Sequence, residues 1–285
     1  MNLDTAGATG VAAPPARRIA YGDHPDQVGD LHLPAGEGNR PVVILVHGGF
    51  WRLPWDRTLM APLARDLAAR GFAAWNVEYR RVGQEGGGWP GTLEDVAAAA
   101  DAVAGLDGLD ASRVVTVGHS AGGHLALWLA ARHRIAVGQP GAGPRVRPSA
   151  AVSQAGIADL VRGAAAGLGD GACVALLGGT PCEVPERYAA ASPAAMLPLG
   201  IPQLLVHGAL DVDVPPAQSR AYAEVARAAG DTAELVELPG ASHLDLIDPG
   251  RAGWAAVGNW LMQRVSRRTP SSDPPRWRSP EGNPG

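Results

Sequence analysis

Apolar residues along this chain follow two rhythms. Short apolar-rich runs at Val42 to Val46, Phe72 to Val77, Arg113 to Val117, Ala150 to Gln154, Gln203 to Val206 and Ala233 to Leu238 have strand length, and the most continuous of them read as strands covered on both faces. Between them lie longer stretches with apolar residues at helical spacing. Asp56 to Arg70 places Met60, Leu63 and Leu67 on one face and stops at Gly71. A second helix is predicted from Thr92 to about Gly105, with Thr92 and Asp95 as its capping pair. Others follow Ser120, run from Pro216 to Ala229, and run from Pro249 to about Val265. The less hydrophobic Arg18 to Tyr21 and Val28 to Leu33, split by the turn-rich Gly22-Asp23-His24-Pro25, read as an antiparallel edge. Strand and helix alternate, which predicts a mostly parallel, doubly wound α/β sheet of about eight strands with helices on both faces.

The alternation fails between 157 and 200, where short helical pieces rich in Ala, Gly and Pro predict an insertion over the mouth of a site. Residues 1–16, small and polar with Pro14-Pro15, and the Pro-, Ser- and Arg-rich 266–285 are expected to be disordered. One domain over 17–265 remains.

The chemistry centres on Gly118-His119-Ser120-Ala121-Gly122, which joins the strand ending at Val117 to the helix carrying His124, Leu125, Leu127, Trp128 and Leu129. Small residues on either side of Ser120 let the backbone turn sharply and lift the hydroxyl above the sheet. The same turn aims the N–H of Ala121 at an oxyanion forming on a bound carbonyl. In a glycine-rich chain the spacing alone is weak, and its strand-to-helix context carries the reading. A serine hydroxyl needs a base, and the base needs a partner that sets its tautomer. Strand Gln203 to Val206 runs out into His207-Gly208-Ala209-Leu210-Asp211-Val212-Asp213-Val214-Pro215, and strand Ala233 to Leu238 runs out into Pro239-Gly240-Ala241-Ser242-His243. Ser120, Asp211 and His243 therefore stand in the chain order of one triad architecture. Asp211 is favoured over Asp213 because it sits nearer the strand end.

A second motif, His47-Gly48-Gly49-Phe50-Trp51, follows the strand Val42 to Val46, and its glycines let backbone N–H groups turn inward as the other half of an oxyanion hole. Phe50, Trp51, Trp55 and Trp89 all fall in loops expected to border a pocket, with Trp51 and Trp89 as candidate substrate contacts, although aromatic residues in such loops also serve as plain packing.

Composition narrows the field. The chain has 285 residues, 46% of them hydrophobic, enough for a substantial core. A net charge of −4 with both signs scattered gives no nucleic-acid stripe and no basic membrane-binding face. Cys173 and Cys182 lack metal-type spacing and read as reduced thiols. No dinucleotide fingerprint and no metal-ligand set is visible, so neither cofactor nor metal is expected. With no signal-peptide pattern at Met1 to Ala13, the expected setting is the cytoplasm. The expected partner is a small-molecule substrate, and a homodimer is compatible with this composition.

Taken together, His47 to Trp51, Gly118 to His124, His207 to Pro215 and Pro239 to His243 resemble the α/β-hydrolase superfamily, and within it kynurenine formamidase and its bacterial esterase relatives, over about Arg17 to Val265. The resemblance implies the α/β-hydrolase fold, an acyl-enzyme on Ser120, and oxyanion N–H groups from Gly49 and Phe50. The acid turn departs from the pattern by reading Asp-Val-Asp-Val-Pro, which keeps Asp213 as a rival to Asp211. The implied activity is arylformamidase first, with general carboxylesterase on small aryl or acyl esters as the alternative. A non-catalytic ligand-binding protein on the same scaffold is the reading from another class.

Overall fold

The computed structural model describes residues 14–265. The disorder expected at 1–13 and 266–285 falls outside the described residues. Within them the alternation of the sequence becomes an eight-stranded sheet in the order β1-β2-β4-β3-β5-β6-β7-β8. The strands are β1 Arg17–Ala20, β2 Val28–His32, β3 Arg40–Val46, β4 Ala73–Val77, β5 Leu109–His119, β6 Ala150–Gln154, β7 Gln203–Gly208 and β8 Ala233–Leu238. β1 and β2 join β4 antiparallel, as the weak hydrophobicity of the edge predicted, and the remaining neighbours pair parallel.

Strand period explains why both faces are covered. Along β3, Val42, Ile44 and Val46 enter one apolar cluster, and Val43 and Leu45 enter the other. Helices α1 (Ala61–Ala69) and α8 (Ala252–Val265) close the second cluster with Leu63, Leu67, Trp254, Val257 and Leu261. Helices α2 (Gly91–Ala102), α3 (Ala121–Ala131) and α7 (Ala217–Ala228) close the first with Leu93, Val96, Leu125, Trp128 and Tyr222. Each such side chain, fully buried, contributes roughly 1.5–3 kcal/mol of transfer free energy, so the sheet centre is the most strongly held part of the molecule.

Two expectations are corrected. Strand β5 starts at Leu109, ahead of the expected Arg113, because Arg40 and Pro41 already pair with Leu109 and Asp110 before the register jumps to Val42 and Val114. The looped-out turn is held by the Asp110 carboxylate, which accepts from Ser112 and Arg113. Thr92 and Asp95 do not cap α2. The Thr92 hydroxyl donates to the Arg80 carbonyl, and Asp95 takes the Arg80 guanidinium through two bonds of 2.8 and 2.7 Å. A buried carboxylate gains more from a forked, charged donor than from an N–H at a helix end. The segment 157–200 forms α4 (Leu160–Ala165), α5 (Leu168–Leu177) and α6 (Pro185–Ala191). Its later part lies along α3, where Trp128 Nε1 donates to Ala190 and His124 Nε2 donates to Ala191. The part seen to touch the site loops is Gly169-Asp170, whose carbonyls accept from Arg52. Cys173 is buried, Cys182 exposed, and both are free.

Candidate active site

Ser120 sits between β5 and α3 with φ +56° and ψ −122°, a backbone conformation that costs an L residue about 1–3 kcal/mol and persists only when its surroundings force it. Here the surroundings are bare backbone. A Cβ on Gly118 would lie 1.9 Å from the Gly122 carbonyl oxygen, and one on Gly122 would lie 2.0 Å from that of Val46. The Ser120 N–H donates to Gln154 on β6 at 2.8 Å, which ties the turn to the next strand. Among the described residues the Ser120 hydroxyl has no hydrogen-bond partner within the protein, so its proton and lone pairs are available to a ligand.

The loop after β3 lies beside it. Gly49, Phe50 and Trp51 have φ of +107°, +52° and +56°, three left-handed residues in succession. Arg52 N–H donates to Gly49, Val82 N–H to Trp51, and the Arg52 guanidinium to Gly169, which fixes both ends of the loop. Among the described residues the N–H groups of Gly49, Phe50 and Ala121 donate to no acceptor in the protein. Three unspent donors near one serine are the raw material of an oxyanion hole.

Sequence reasoning missed what holds this loop from below. His47 stacks on Tyr79 with ring centroids 4.3 Å apart, and its Nε2 meets Glu78 Oε1 at 2.8 Å. Burial pushes the Glu78 carboxyl up, but the bond from His47 and the nearby arginines outweigh it and leave Glu78 below the usual carboxylate range. The only signal in the sequence was a charged Glu-Tyr-Arg-Arg at the end of an apolar strand.

On the far side, the turn after β7 approaches the loop after β8 because Gly208 has no side chain. A Cβ there would lie 2.3 Å from the Ala241 carbonyl oxygen. Asp211 Oδ2 then lies 2.6 Å from His243 Nδ1 and 3.2 Å from His207 Nε2, while Oδ1 accepts the N–H groups of Asp213 and Val214. Burial alone would push this carboxyl up, yet the bonds from His207 and His243 prevail and hold it well below the ordinary range. The Asp211 bond assigns the proton to His243 Nδ1 and leaves Nε2 as the basic nitrogen. His119 donates from Nε2 to the His243 carbonyl at 3.0 Å, with the two rings 4.5 Å apart. Burial first, and the nearby His243 second, pull His119 down to about 3, so it is neutral at physiological pH.

Ser120 and His243 line one cavity of about 470 Å³, counting its open mouth, together with Gly49, Phe50, Trp55, Leu59, His119, Asp213 and Leu244. The structure thus brings Ser120, His243, Gly49 and Phe50 to one space and joins His243 to Asp211. Ala121 is buried at the first position of α3. Asp213 is exposed at the rim of the cavity, whereas Asp211 is 6% exposed behind His243. Asp211, Asp213 and His243 each offer an atom within 4.8 Å of the others.

Two sequence-based substrate contacts are corrected. Trp51 is fully buried, its ring edge-on to His124 at 5.2 Å, because three left-handed residues turn it away from the cavity and onto α3. Trp89 packs against the core, its backbone N–H donating to the Leu176 carbonyl, and does not line the cavity. The tryptophan at the mouth is Trp55, 46% exposed.

The BD-FAE family model matches residues 30–225. A probable isoprenylcysteine alpha-carbonyl methylesterase ICMEL1 of Oryza sativa subsp. japonica is 29% identical over 264 residues, covering 83% of this chain and 59% of that protein. Esterase LipQ of Mycobacterium tuberculosis is 30% identical over 214 residues, covering 71% of this chain and 50% of that protein. The chain therefore spans between half and three-fifths of the length of these curated relatives. Among solved structures, a truncated carbohydrate esterase from gut microbiota superposes with a TM-score of 0.74 at 20% identity, covering 92% of this chain and 99% of that one. The butyrate-bound esterase Est2 of Thermogutta terrifontis gives 0.71 at 23%, covering 90% and 96%. These likenesses show the α/β-hydrolase fold. Among the described residues no helix is long and apolar enough to cross a membrane.

Proposed function

The chain belongs to the BD-FAE family, and from that premise we propose that it is a serine carboxylesterase working through an acyl-enzyme on Ser120. The observation that carries the reading is the 2.6 Å bond between Asp211 and His243 beside a cavity that also holds Ser120. In this mechanism His243 Nε2 takes the Ser120 proton as Oγ attacks the ester carbonyl carbon. The N–H groups of Gly49, Phe50 and Ala121 receive the oxyanion, and His243 then returns the proton to the departing alcohol. Water repeats the sequence on the acyl-enzyme and releases the acid. Asp211 keeps His243 in the required tautomer and balances its charge while protonated.

The curated relatives described above carry esterase names, which moves ester substrates ahead of formamides. The arylformamidase reading now rests on the motif resemblance alone. The test is a parallel assay of the purified protein on short-chain aryl esters and N-formylkynurenine. Ester turnover well above formamide turnover is expected, and the reverse ranking would restore the formamidase. A ligand-binding protein without turnover has no need of a base, an acid and free N–H donors around one serine.

The cavity also carries an expectation about substrate shape. Phe50 and Trp55 line it, and burying an aryl ring against them adds roughly 1–2 kcal/mol, about a ten-fold preference in kcat/KM over an aliphatic ester of similar size. Trp55→Ala is expected to erode that preference selectively. Trp51→Ala is expected to lower activity on both classes alike, because Trp51 supports the loop from inside the core. Equal losses on both classes for Trp55→Ala would make Trp55 a prop for Gly49, against which its side chain packs closely.

A further inference from the structure

The cavity around Ser120 and His243 is walled by aromatic and aliphatic side chains, and one acidic side chain enters it, Asp213. Asp213 differs from Asp211 in how its charge is used. The Asp211 carboxylate is shared between His207 and His243, whereas Asp213 is exposed and forms no salt bridge among the described residues. The cation on the oxyanion loop, Arg52, is turned onto the carbonyls of Gly169 and Asp170 at 2.8 and 3.2 Å. A Asp213 carboxylate oxygen nonetheless belongs to a cluster, with one atom each of Asp211 and His243, that spans no more than 4.8 Å. A full negative charge thus stands at the mouth, beside the base, with no cation committed to it.

We infer that Asp213 sets a charge filter on the site, so that it takes esters whose acyl and alcohol parts are neutral or cationic and discriminates against anionic ones. The inference rests on the ester-hydrolysing reading of Ser120 and deepens it. A charged group on the substrate some 7 Å from the carboxylate, in a mouth open to water, gives a discrimination of about ten-fold, reduced by added salt. The same field acts on the product. Every ester hydrolysed leaves a carboxylate next to Ser120, and Asp213 favours its departure.

The experiment uses three nitrophenyl esters of matched chain length: neutral valerate, the monoanionic glutarate half-ester and the cationic 5-aminovalerate. The readout is the ratio of kcat/KM between charged and neutral esters within each protein. In the wild type the anion is expected about ten-fold below the neutral ester at low salt. Asp213→Asn is expected to close most of that gap, Asp213→Lys to reverse the order of anion and cation, and high salt to narrow every difference. A ratio that is the same in all three proteins overturns the inference. A second arm reads the filter without ester turnover, by comparing how fast fluorophosphonates with neutral and anionic tails modify Ser120, followed by mass spectrometry. Labelling that prefers the neutral tail through Asp213, in a protein that hydrolyses none of the esters, would sink the esterase reading and leave the filter standing. Labelling indifferent to charge in every variant would sink the filter even if all the esters are cleaved.

Discussion

Replacing Ser120 with alanine is expected to lower kcat for a good ester by about 10⁵- to 10⁶-fold and to leave the fold in place. The loss is large because Oγ is the atom that forms the covalent bond, and neither His243 nor the oxyanion donors can substitute for it. The fold survives because among the described residues the hydroxyl has no partner, so its removal leaves no buried group there unsatisfied. A methyl group fits wherever the serine Cβ already stands, with the same backbone strain. Steady-state kinetics and a thermal melt check the two halves separately. Retention of more than a few per cent of activity in a clean preparation would remove Ser120 from the mechanism.

Asp211→Asn is the second large effect, a fall in kcat of roughly 10³- to 10⁴-fold. Asp211 accepts three hydrogen bonds, from His243 and the N–H groups of Asp213 and Val214, and lies 3.2 Å from His207 Nε2, which itself meets the Val214 carbonyl. An asparagine can keep its oxygen on the two backbone donors only by turning its NH₂ toward His243. That reverses the His243 tautomer and points a proton at Ser120, where a lone pair is needed. Asp213→Asn costs far less, because no ring nitrogen depends on it for its proton. If the Asp213 variant proves the more damaging on neutral esters, the acid of the mechanism is Asp213.

Much of this was legible in the sequence, for physical reasons. Runs such as Val42 to Val46 must be strands buried on both faces, since no other element of that length hides five apolar residues in a row. The position of Asp211 directly after β7 likewise anticipated its place behind His243. What the sequence did not carry was direction. Trp51 follows Gly49 and Phe50 in the chain, yet its ring points into the core, because the sign of φ at three successive residues decides where each side chain goes. Trp55, four residues later, reaches the cavity instead. The partnership of His47 with Glu78 spans 31 residues and two strands, and it becomes visible only when β3 and β4 lie side by side. Thr92 and Asp95 had the right spacing for a cap but a stronger partner close by in Arg80.

The glycine contacts beneath the site have a consequence for recombination and directed evolution. Gly118 abuts the Gly122 carbonyl, Gly122 that of Val46, Gly48 that of His119, and Gly208 that of Ala241. At the Gly118, Gly122 and Gly208 joints one segment of the chain meets another through main-chain atoms, which are the same in every protein, whereas Gly48 also faces the side chains of His119 and Ser120. Chimeras with crossovers near these joints keep the frame of the site as long as the glycines travel with them. Variety enters above them, on separate loops that bring Trp55, Asp213 and Leu244 to the mouth. A library that holds the glycines, Asp211 and His243 constant and randomises Asp213 and Leu244 explores substrate range while leaving that frame in place.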